Sequence, residues 1–179
     1  MTVIDPTSLK IITYPDPRLH RVCKPVDLFD EPLAVLAARM LELMHEANGV
    51  GLAAPQVGVL IRLFVCNVTG EPGDDAVYVN PELSDLEGEA EGEEGCLSIP
   101  EVTVNVRRAV HCRIRARATD GAAIDVAGSE LVARIWQHEC DHLVGRLITD
   151  RMSEADKIAN RRALKLLEAE FKRGARAPR

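Results

Sequence analysis

Two histidines four residues apart, with a glutamate directly after the first, constrain the fold of this chain more than any other feature. They lie in the segment QHECDH, residues 137–142, inside a helical pattern that covers residues 129–143. Residues four apart share one face of an α-helix, so His138 and His142 can point two imidazole nitrogens at one ion. Glu139 lies about 100° round the helix and could carry a proton without binding the ion. The pattern therefore predicts a helix that either supplies two ligands of a metal site or simply carries two surface histidines.

A third ligand would have to come from elsewhere in the chain, and Cys96 is the strongest candidate. It lies in the segment EEGCLSIP, residues 93–100, where Gly95 permits close backbone approach and Pro100 restrains the exit. A buried free thiol is the competing interpretation of Cys96. Cys140 lies two positions from both histidines and should face away from them. Buried free thiols are expected at the other cysteines, which lie in or beside apolar runs: Cys23, Cys66 and Cys112.

Helical patterns lie towards the two ends of the chain. The first covers about residues 31–47, with Asp30 as its N-cap. The second is the helix of the two histidines, for which Ser129 is the expected N-cap. A third begins at Ser153, and Asp156 gives it the spacing of a capping box.

Strand patterns fill the middle of the chain, and acidic segments separate some of them. The expected strands cover residues 61–66, 76–80, 102–106, 110–117 and 122–126, and exposed acidic loops are expected at residues 72–75 and 87–95. This order predicts an α+β fold, with mostly antiparallel β-sheets packed around a central metal-binding helix and with N- and C-terminal helices.

Composition narrows the class of protein. The 179 residues fit one domain over residues 1–179, with a basic tail at residues 172–179 that we expect to be flexible. A net charge of −6 argues against a DNA-coating protein, and no apolar run reaches the roughly 18 residues of a membrane span. The N-terminus shows no secretory leader, and five cysteines without a dense framework favour a reduced compartment. We therefore expect a cytoplasmic protein with neither a membrane nor DNA as partner.

Four segments of the chain resemble one known family. GVGLAAPQ at residues 49–56, EGCLS at residues 94–98 and QHECDH at residues 137–142 resemble the three signature motifs of the peptide deformylases, in the same order. YPDPRL at residues 14–19 resembles that family's opening segment. The resemblance implies an enzyme that hydrolyses the N-formyl group of formyl-methionyl peptides and nascent chains and releases formate.

The resemblance also implies roles for individual residues. Cys96, His138 and His142 would hold one divalent ion and leave one position open; Fe²⁺ is expected, and Zn²⁺, Ni²⁺ or Co²⁺ would also suit these ligands. Glu139 would act as the general acid and base. The Gln56 amide and the Leu97 backbone N–H would bind the developing oxyanion.

Other residues would bind the substrate or support the site. Gly49 and Gly51 would lie along the peptide backbone, where a Cβ could obstruct. Leu131 and Ile135 precede the histidines on the same helical stripe and predict a wall for the methionine side chain, although plain core residues would show the same pattern. We also expect Glu94 to pair with Arg107 or Arg108. The last candidate is the basic C-terminal tail, which could contact the ribosome through Lys172, Arg173, Arg176 and Arg179.

Two other functions are compatible with parts of the pattern. A general metallopeptidase of the zincin type also uses the H-E-x-x-H spacing. A structural metal site would need a fourth protein ligand, for which Cys140 is the nearest candidate. The cysteine in EGCLS argues against the first alternative, and the expected direction of Cys140 argues against the second.

Overall fold

The computed structural model describes residues 6–174, which form three α-helices, seven β-strands and four short 3₁₀ helices. The helices are α1 (Glu31–Glu46), α2 (Glu130–Leu143) and α3 (Glu154–Gly174). The strands are β1 (Gly51–Ala53), β2 (Leu63–Cys66), β3 (Ala76–Glu87), β4 (Ala90–Cys96), β5 (Ile99–Arg108), β6 (His111–Arg117) and β7 (Ala123–Ser129). The 3₁₀ helices span Pro6–Ser8, Pro17–His20, Ala54–Val57 and Ile148–Arg151.

The strands form two separate antiparallel sheets. Five of them pair in the order β1-β2-β3-β6-β7, and β4 pairs with β5 alone. The predicted α+β fold, with antiparallel sheets around a central helix and further helices towards the ends, is thereby confirmed. None of the helices within residues 6–174 has the length and hydropathy that a membrane span requires.

The five-stranded sheet lies between α1 and α2. Side chains alternate along a strand, so successive residues of β2 point to opposite faces. Leu63 and Val65 join the hydrophobic core formed with α1, whereas Phe64 and Cys66 join the core formed with α2. A third core lies between β5 and α3 and includes Val104 and Leu167 of the two elements.

The acidic segment at residues 87–95 differs most from expectation. It was expected to be an exposed loop, and that expectation is wrong, because residues 90–96 form β4 and pair with β5. Its sequence shows no apolar alternation, since glutamates and glycines occupy most positions. The pairing register with β5 explains why this acidic segment forms a strand. Glu91 lies opposite Arg107, and Glu94 is buried opposite Val104.

The predicted N-caps of α1 and α2 differ in whether their side chains make a capping hydrogen bond. Asp30 accepts a hydrogen bond from the Leu33 N–H at 3.2 Å, as expected of the α1 cap. Ser129 lies at the expected N-cap position of α2, but its side chain makes no capping hydrogen bond. The residue after it, Glu130, has a positive φ of 51°. The third helix follows its prediction closely, and Ser153 forms the reciprocal pair with Asp156.

We predict that Ser153→Ala lowers the free energy of unfolding by about 1 kcal/mol, the usual cost of losing an N-cap. The Ser153 hydroxyl accepts the Asp156 N–H at 3.1 Å, and alanine would leave that donor to water. Urea unfolding followed by circular dichroism measures the difference. Ser129→Ala is the matched control and should change stability by less than about 0.5 kcal/mol; equal losses in the two variants would contradict the capping role.

The basic tail is described only in part. Lys172 and Arg173 lie in the last turn of α3, so the chain is helical as far as Gly174. Residues 175–179, including Arg176 and Arg179, lie outside the described residues, and the expected flexibility of the tail stays a prediction.

Candidate active site

Three potential metal ligands meet where the two sheets approach α2. Cys96 is the last residue of β4, and His138 and His142 lie one turn apart on α2. Their ligand atoms all lie within 4.8 Å of one another, and the Cys96 Sγ is 3.4 Å from the His142 Nε2. This is the one such cluster of three or more histidine, cysteine or acidic side chains among residues 6–174. The fold therefore brings together the three ligands that were expected from the sequence.

Cys140 is not part of this cluster. It packs on the opposite side of α2, against the core that contains Trp136. Burial raises the pKa of its thiol to about 12, so Cys140 stays protonated near neutral pH. Within residues 6–174, no fourth side chain joins the three potential ligands, which is the pattern of a catalytic site rather than of a closed structural one.

Glu94 fixes the orientation of His138. Its Oε2 lies 3.0 Å from the His138 Nδ1, which leaves Nε2 free to face the cluster. Burial alone would raise the pKa of Glu94, but hydrogen bonds from Arg108 and His138 hold that pKa well below its ordinary value. Glu94 is thus a buried, ionised carboxylate.

Arg108 is the partner of Glu94 that the sequence left undecided. Its Nε and Nη2 donate to the two Glu94 oxygens at 3.0 and 2.9 Å, and its Nη1 donates to Asp141 at 2.5 Å. Arg107 instead lies exposed, 3.9 Å from Glu89. The predicted pair is therefore Glu94 with Arg108, and the ion pair is buried on both sides.

We predict that Arg108→Met lowers the free energy of unfolding by about 3 kcal/mol. Glu94 loses the buried guanidinium that binds both of its oxygens, although it keeps Arg134 and His138 as partners. Arg107→Met removes an equally long cation from an exposed position and should cost less than about 1 kcal/mol. Guanidinium chloride unfolding of both variants measures the contrast. Similar small losses in both would show that the buried network contributes little.

Glu139 lies beside the cluster in a closed environment. It is buried, and its Oε2 has no hydrogen-bond partner within residues 6–174. Burial raises the pKa of Glu139 to about 7, which suits a group that must both take and give a proton. Burial also lowers the pKa of His142 well below its ordinary value, so its imidazole is neutral, as a ligand must be. Contacts with Cys96 and Glu94 outweigh burial at His138 and raise its pKa to about 10, so an ion binding there displaces a proton.

Gly51 makes room for the Glu139 side chain. A Cβ at this position would lie 2.9 Å from the Glu139 Cδ, which is closer than real Cβ contacts. It would also lie 3.1 Å from the Glu139 Cγ, which is tighter than most such contacts. A Cβ at Gly49 would collide in the same way with the Leu97 side chain, 2.6 Å from Cδ1. The missing side chains of Gly49 and Gly51 therefore leave the space that Leu97 and Glu139 occupy.

We predict that Gly51→Ala lowers kcat by about 100-fold while the chain stays folded, because Glu139 must shift by up to about 1 Å. Metal content should be unchanged, since the three atoms nearest to the new methyl group all belong to Glu139. Steady-state kinetics with elemental analysis of the same sample tests this. Wild-type kcat would show that Glu139 tolerates the shift.

Gln56 presents its amide nitrogen to the cluster. Its Oε1 accepts the Ala53 N–H at 2.8 Å, which fixes the orientation of the amide. Its Nε2 then lies 3.4 Å from the Cys96 Sγ and 3.2 Å from the Ser98 Oγ. A donor is thus held beside the ligands by the 3₁₀ helix Ala54–Val57.

A cavity of about 450 Å³ opens onto these groups. Leu131 is half exposed at its rim and Ile135 is buried in its wall, so a pure core role does not fit Leu131. The lining contains every predicted site residue except the buried His142: Gly49, Gly51, Gln56, Cys96, Leu97, Leu131, Ile135, His138 and Glu139.

Sequence reasoning missed three residues around the site. Ser98 is fully buried and accepts a hydrogen bond from Gln56. It belongs to the EGCLS segment, but no role was predicted for it. Arg134 binds Glu94, and its position one turn before His138 was a usable signal. Asp141 forms ion pairs with both Arg108 and Arg151, and no local sequence pattern indicated this role.

Comparison with known proteins settles the family. The family model described as Polypeptide deformylase matches residues 8–158. The chain belongs to the peptide deformylase family. The peptide deformylase of Hahella chejuensis is 40% identical over 159 residues, which cover 88% of this chain and 95% of that protein. Peptide deformylase 1B of Arabidopsis thaliana, chloroplastic/mitochondrial, is 41% identical over 168 residues, which cover 92% of this chain and 62% of that longer protein.

Solved peptide deformylase structures have the same fold. A crystal structure of a plant peptide deformylase matches with a TM-score of 0.90 and 40% identity, covering 96% of this chain and 95% of that one. The enzyme of Plasmodium falciparum matches with a TM-score of 0.90 and 32% identity, covering 94% and 100%. The family assignment therefore rests on sequence and fold together.

The segments that resemble the peptide deformylase motifs converge at the cavity. Those at residues 49–56, 94–98 and 137–142 line it. The backbone at and just before the opening segment binds two of these segments. The Tyr14 N–H donates to the Ser98 carbonyl at 2.8 Å. The preceding Ile12 N–H donates to the Gln56 carbonyl, also at 2.8 Å.

Proposed function

We propose that Cys96, His138 and His142 together hold one divalent metal ion and that Glu139 moves the proton in the reaction of this enzyme. As a peptide deformylase, the enzyme removes the N-formyl group from nascent polypeptides. The observation that carries the residue roles is the convergence of three ligand atoms within 4.8 Å, beside a buried carboxylate and an open cavity.

The residues present fit a catalytic metal ion. A thiolate and two imidazoles suit Fe²⁺, Zn²⁺, Ni²⁺ and Co²⁺, and no fourth side chain of the described residues completes the set. Glu94 holds His138 through Nδ1, as a carboxylate commonly orients a metal-binding histidine. When bound, a divalent ion polarises a carbonyl group and acidifies water at neutral pH.

Glu139 carries the proton through the reaction. As the carboxylate, it takes a proton from the water that attacks the formyl carbon. It then gives this proton to the amine nitrogen as the C–N bond breaks, which yields formate and a free N-terminal methionine. Its unpartnered Oε2 and its pKa of about 7 support this exchange.

Gln56 and the Leu97 backbone N–H stabilise the charge that develops on the formyl oxygen. Preorganised donors of this kind contribute roughly 3 kcal/mol each to the transition state. The contact of Gln56 Oε1 with the Ala53 N–H supports this role, because it holds the donating nitrogen towards the site.

The cavity wall selects the methionine side chain. Leu131 offers apolar surface two turns before His138, and Ile135 does so one turn before it, which suits an unbranched side chain. Gly49 and Gly51 leave space for the peptide backbone as well as for Leu97 and Glu139.

Formate release tests this function against the zincin alternative. The enzyme should release formate from a formyl-methionyl tripeptide and leave the unformylated tripeptide intact. Cleavage of an internal peptide bond without formate would support the general metallopeptidase instead.

Fe²⁺ is the proposed native ion. A thiolate beside Fe²⁺ makes the site prone to oxidation, so the choice must be tested without oxygen. Anaerobic purification, elemental analysis and activity after reloading with Fe²⁺, Zn²⁺, Ni²⁺ or Co²⁺ identifies the ion. A zinc content of one equivalent in the most active preparation would contradict Fe²⁺.

The basic C-terminal tail is proposed to contact the ribosome while the enzyme acts on nascent chains. The support is charge: Lys172 and Arg173 are exposed at the end of α3, and Arg176 and Arg179 follow in the sequence. Replacing these four residues with serine should weaken ribosome binding and its salt dependence. Unchanged binding in a sedimentation assay would contradict the contact.

The cytoplasm is the proposed location. All five cysteines are free thiols, as expected of a reducing compartment. Fractionation of the source cells, with activity assayed in each fraction, would test the proposal.

A further inference from the structure

The metal ligands belong to two elements that side chains hold together. Cys96 lies on the hairpin of β4 and β5, here called the cysteine hairpin, which is not part of the five-stranded sheet. The two histidines lie on α2. Within residues 6–174, no backbone hydrogen bond joins the cysteine hairpin to α2. The position of the thiolate relative to the imidazoles therefore depends on side-chain contacts.

Arg134 makes the widest of these contacts. It lies on α2 one turn before His138, and its Nη1 donates to the Glu94 Oε1 at 2.7 Å and to the Val106 carbonyl at 2.9 Å. Its Nη2 donates to the Ala90 carbonyl at 2.9 Å. One guanidinium thus binds both strands of the cysteine hairpin and the carboxylate that orients His138.

The cysteine hairpin is shaped to receive this side chain. A Cβ at Gly92 would lie 3.0 Å from the Arg134 Cζ and Nη2, so glycine leaves the space in which the guanidinium lies. Only 17% of the Arg134 side chain is exposed, and it forms part of the cavity wall. The space is left by Gly92 of β4 and is filled by Arg134 of α2, so both elements are needed for this contact.

Besides the contact of His138 with Glu94, the side chains of Gln137 and Arg108 also connect the cysteine hairpin region to α2. Gln137 binds the backbone of Ala109, just beyond the hairpin. Arg108 binds Glu94 and Asp141 and is almost fully buried. Arg134 differs because it also binds the backbone of both strands of the cysteine hairpin. Without Arg134, Glu94 would still keep Arg108 and His138 as partners.

We propose that Arg134 is a positioning residue that sets the distance between Cys96 and the two histidines and thereby the retention of the divalent ion. The inference rests on the proposed function, because it takes these three side chains as the ligands. Ordinary supporting contacts around metal ligands change metal affinity by about 10- to 100-fold. Since Arg134 acts through the cysteine hairpin and Glu94, the lower end of that range is expected.

The test uses the full chain loaded with Co²⁺, whose absorption reports its thiolate and imidazole ligands. Arg134→Met should release Co²⁺ to a chelator about tenfold faster than wild type and shift the thiolate-to-cobalt band. Arg113→Met is the matched control, because Arg113 of β6 pairs with the exposed Asp125 of β7, away from the site. It should keep the wild-type rate and spectrum.

Arg134→Lys keeps the inference testable if the methionine variant does not fold. Lysine supplies the charge but not a planar fork that reaches both strands, so release should still be faster than in wild type. Wild-type release and spectrum in a folded Arg134→Met, or in Arg134→Lys, would overturn the positioning role and leave the proposed function intact. Failure of the wild-type chain to take up Co²⁺ would overturn both.

Discussion

Replacing Cys96 with alanine is expected to remove bound metal and deformylase activity together. Two imidazoles on one helix remain, and they give a weak site, since the thiolate supplies both a negative charge and the third ligand atom. Changes next to metal ligands already cost about 10- to 100-fold in affinity, so loss of a ligand should exceed 100-fold. Competition with a chelator of known affinity measures the loss.

Cys140→Ala is the control for this experiment. Its thiol packs against the core on the other side of α2, and its loss should leave metal content and kcat unchanged. Full metal occupancy and turnover in Cys96→Ala would refute the ligand assignment. A full equivalent of metal lost in Cys140→Ala would support the structural site instead.

Replacing Glu139 with glutamine is expected to lower kcat by about 1,000-fold and to leave the metal in place. Glutamine matches glutamate in size but cannot accept a proton, and proton transfer by a positioned side chain accounts for roughly 10²–10⁴ in rate. The three ligand atoms do not depend on Glu139, so elemental analysis should still find one equivalent. Formate release under saturating substrate measures kcat.

Glu130→Gln provides the matched control on the same helix. Glu130 is exposed in the first turn of α2, outside the cavity, and its substitution should leave kcat unchanged. A kcat within tenfold of wild type in Glu139→Gln would show that another group moves the proton.

The sequence was sufficient to predict features that depend on local spacing. Helical periodicity placed His138 and His142 on one face, and the Ser153–Asp156 spacing gave the start of α3. Alternation gave β5, where Val104 faces the core. These signals work because the residues concerned interact within one element.

Features that depend on distant partners were not predictable in the same way. The glutamates of β4 resemble a solvated loop until β5 lies beside them, and Glu94 is buried because Arg108 and Arg134 neutralise it. Ser129 lies at the N-cap position of α2, but it is also the last paired residue of β7, opposite His111 of β6, and its side chain makes no capping hydrogen bond. In each case a contact made by tertiary structure outweighed the local preference.

The separation of the two sheets has a consequence for the order of biogenesis. The thiolate and the nearer imidazole come from positions 96 and 138, 42 residues apart, so an unfolded chain must close a long loop to present all three ligands. In a zinc finger, by contrast, the ion itself drives folding. We therefore expect the polypeptide to fold before it captures the ion, so that metallation would be a late step of maturation that depends on the cell's labile metal supply.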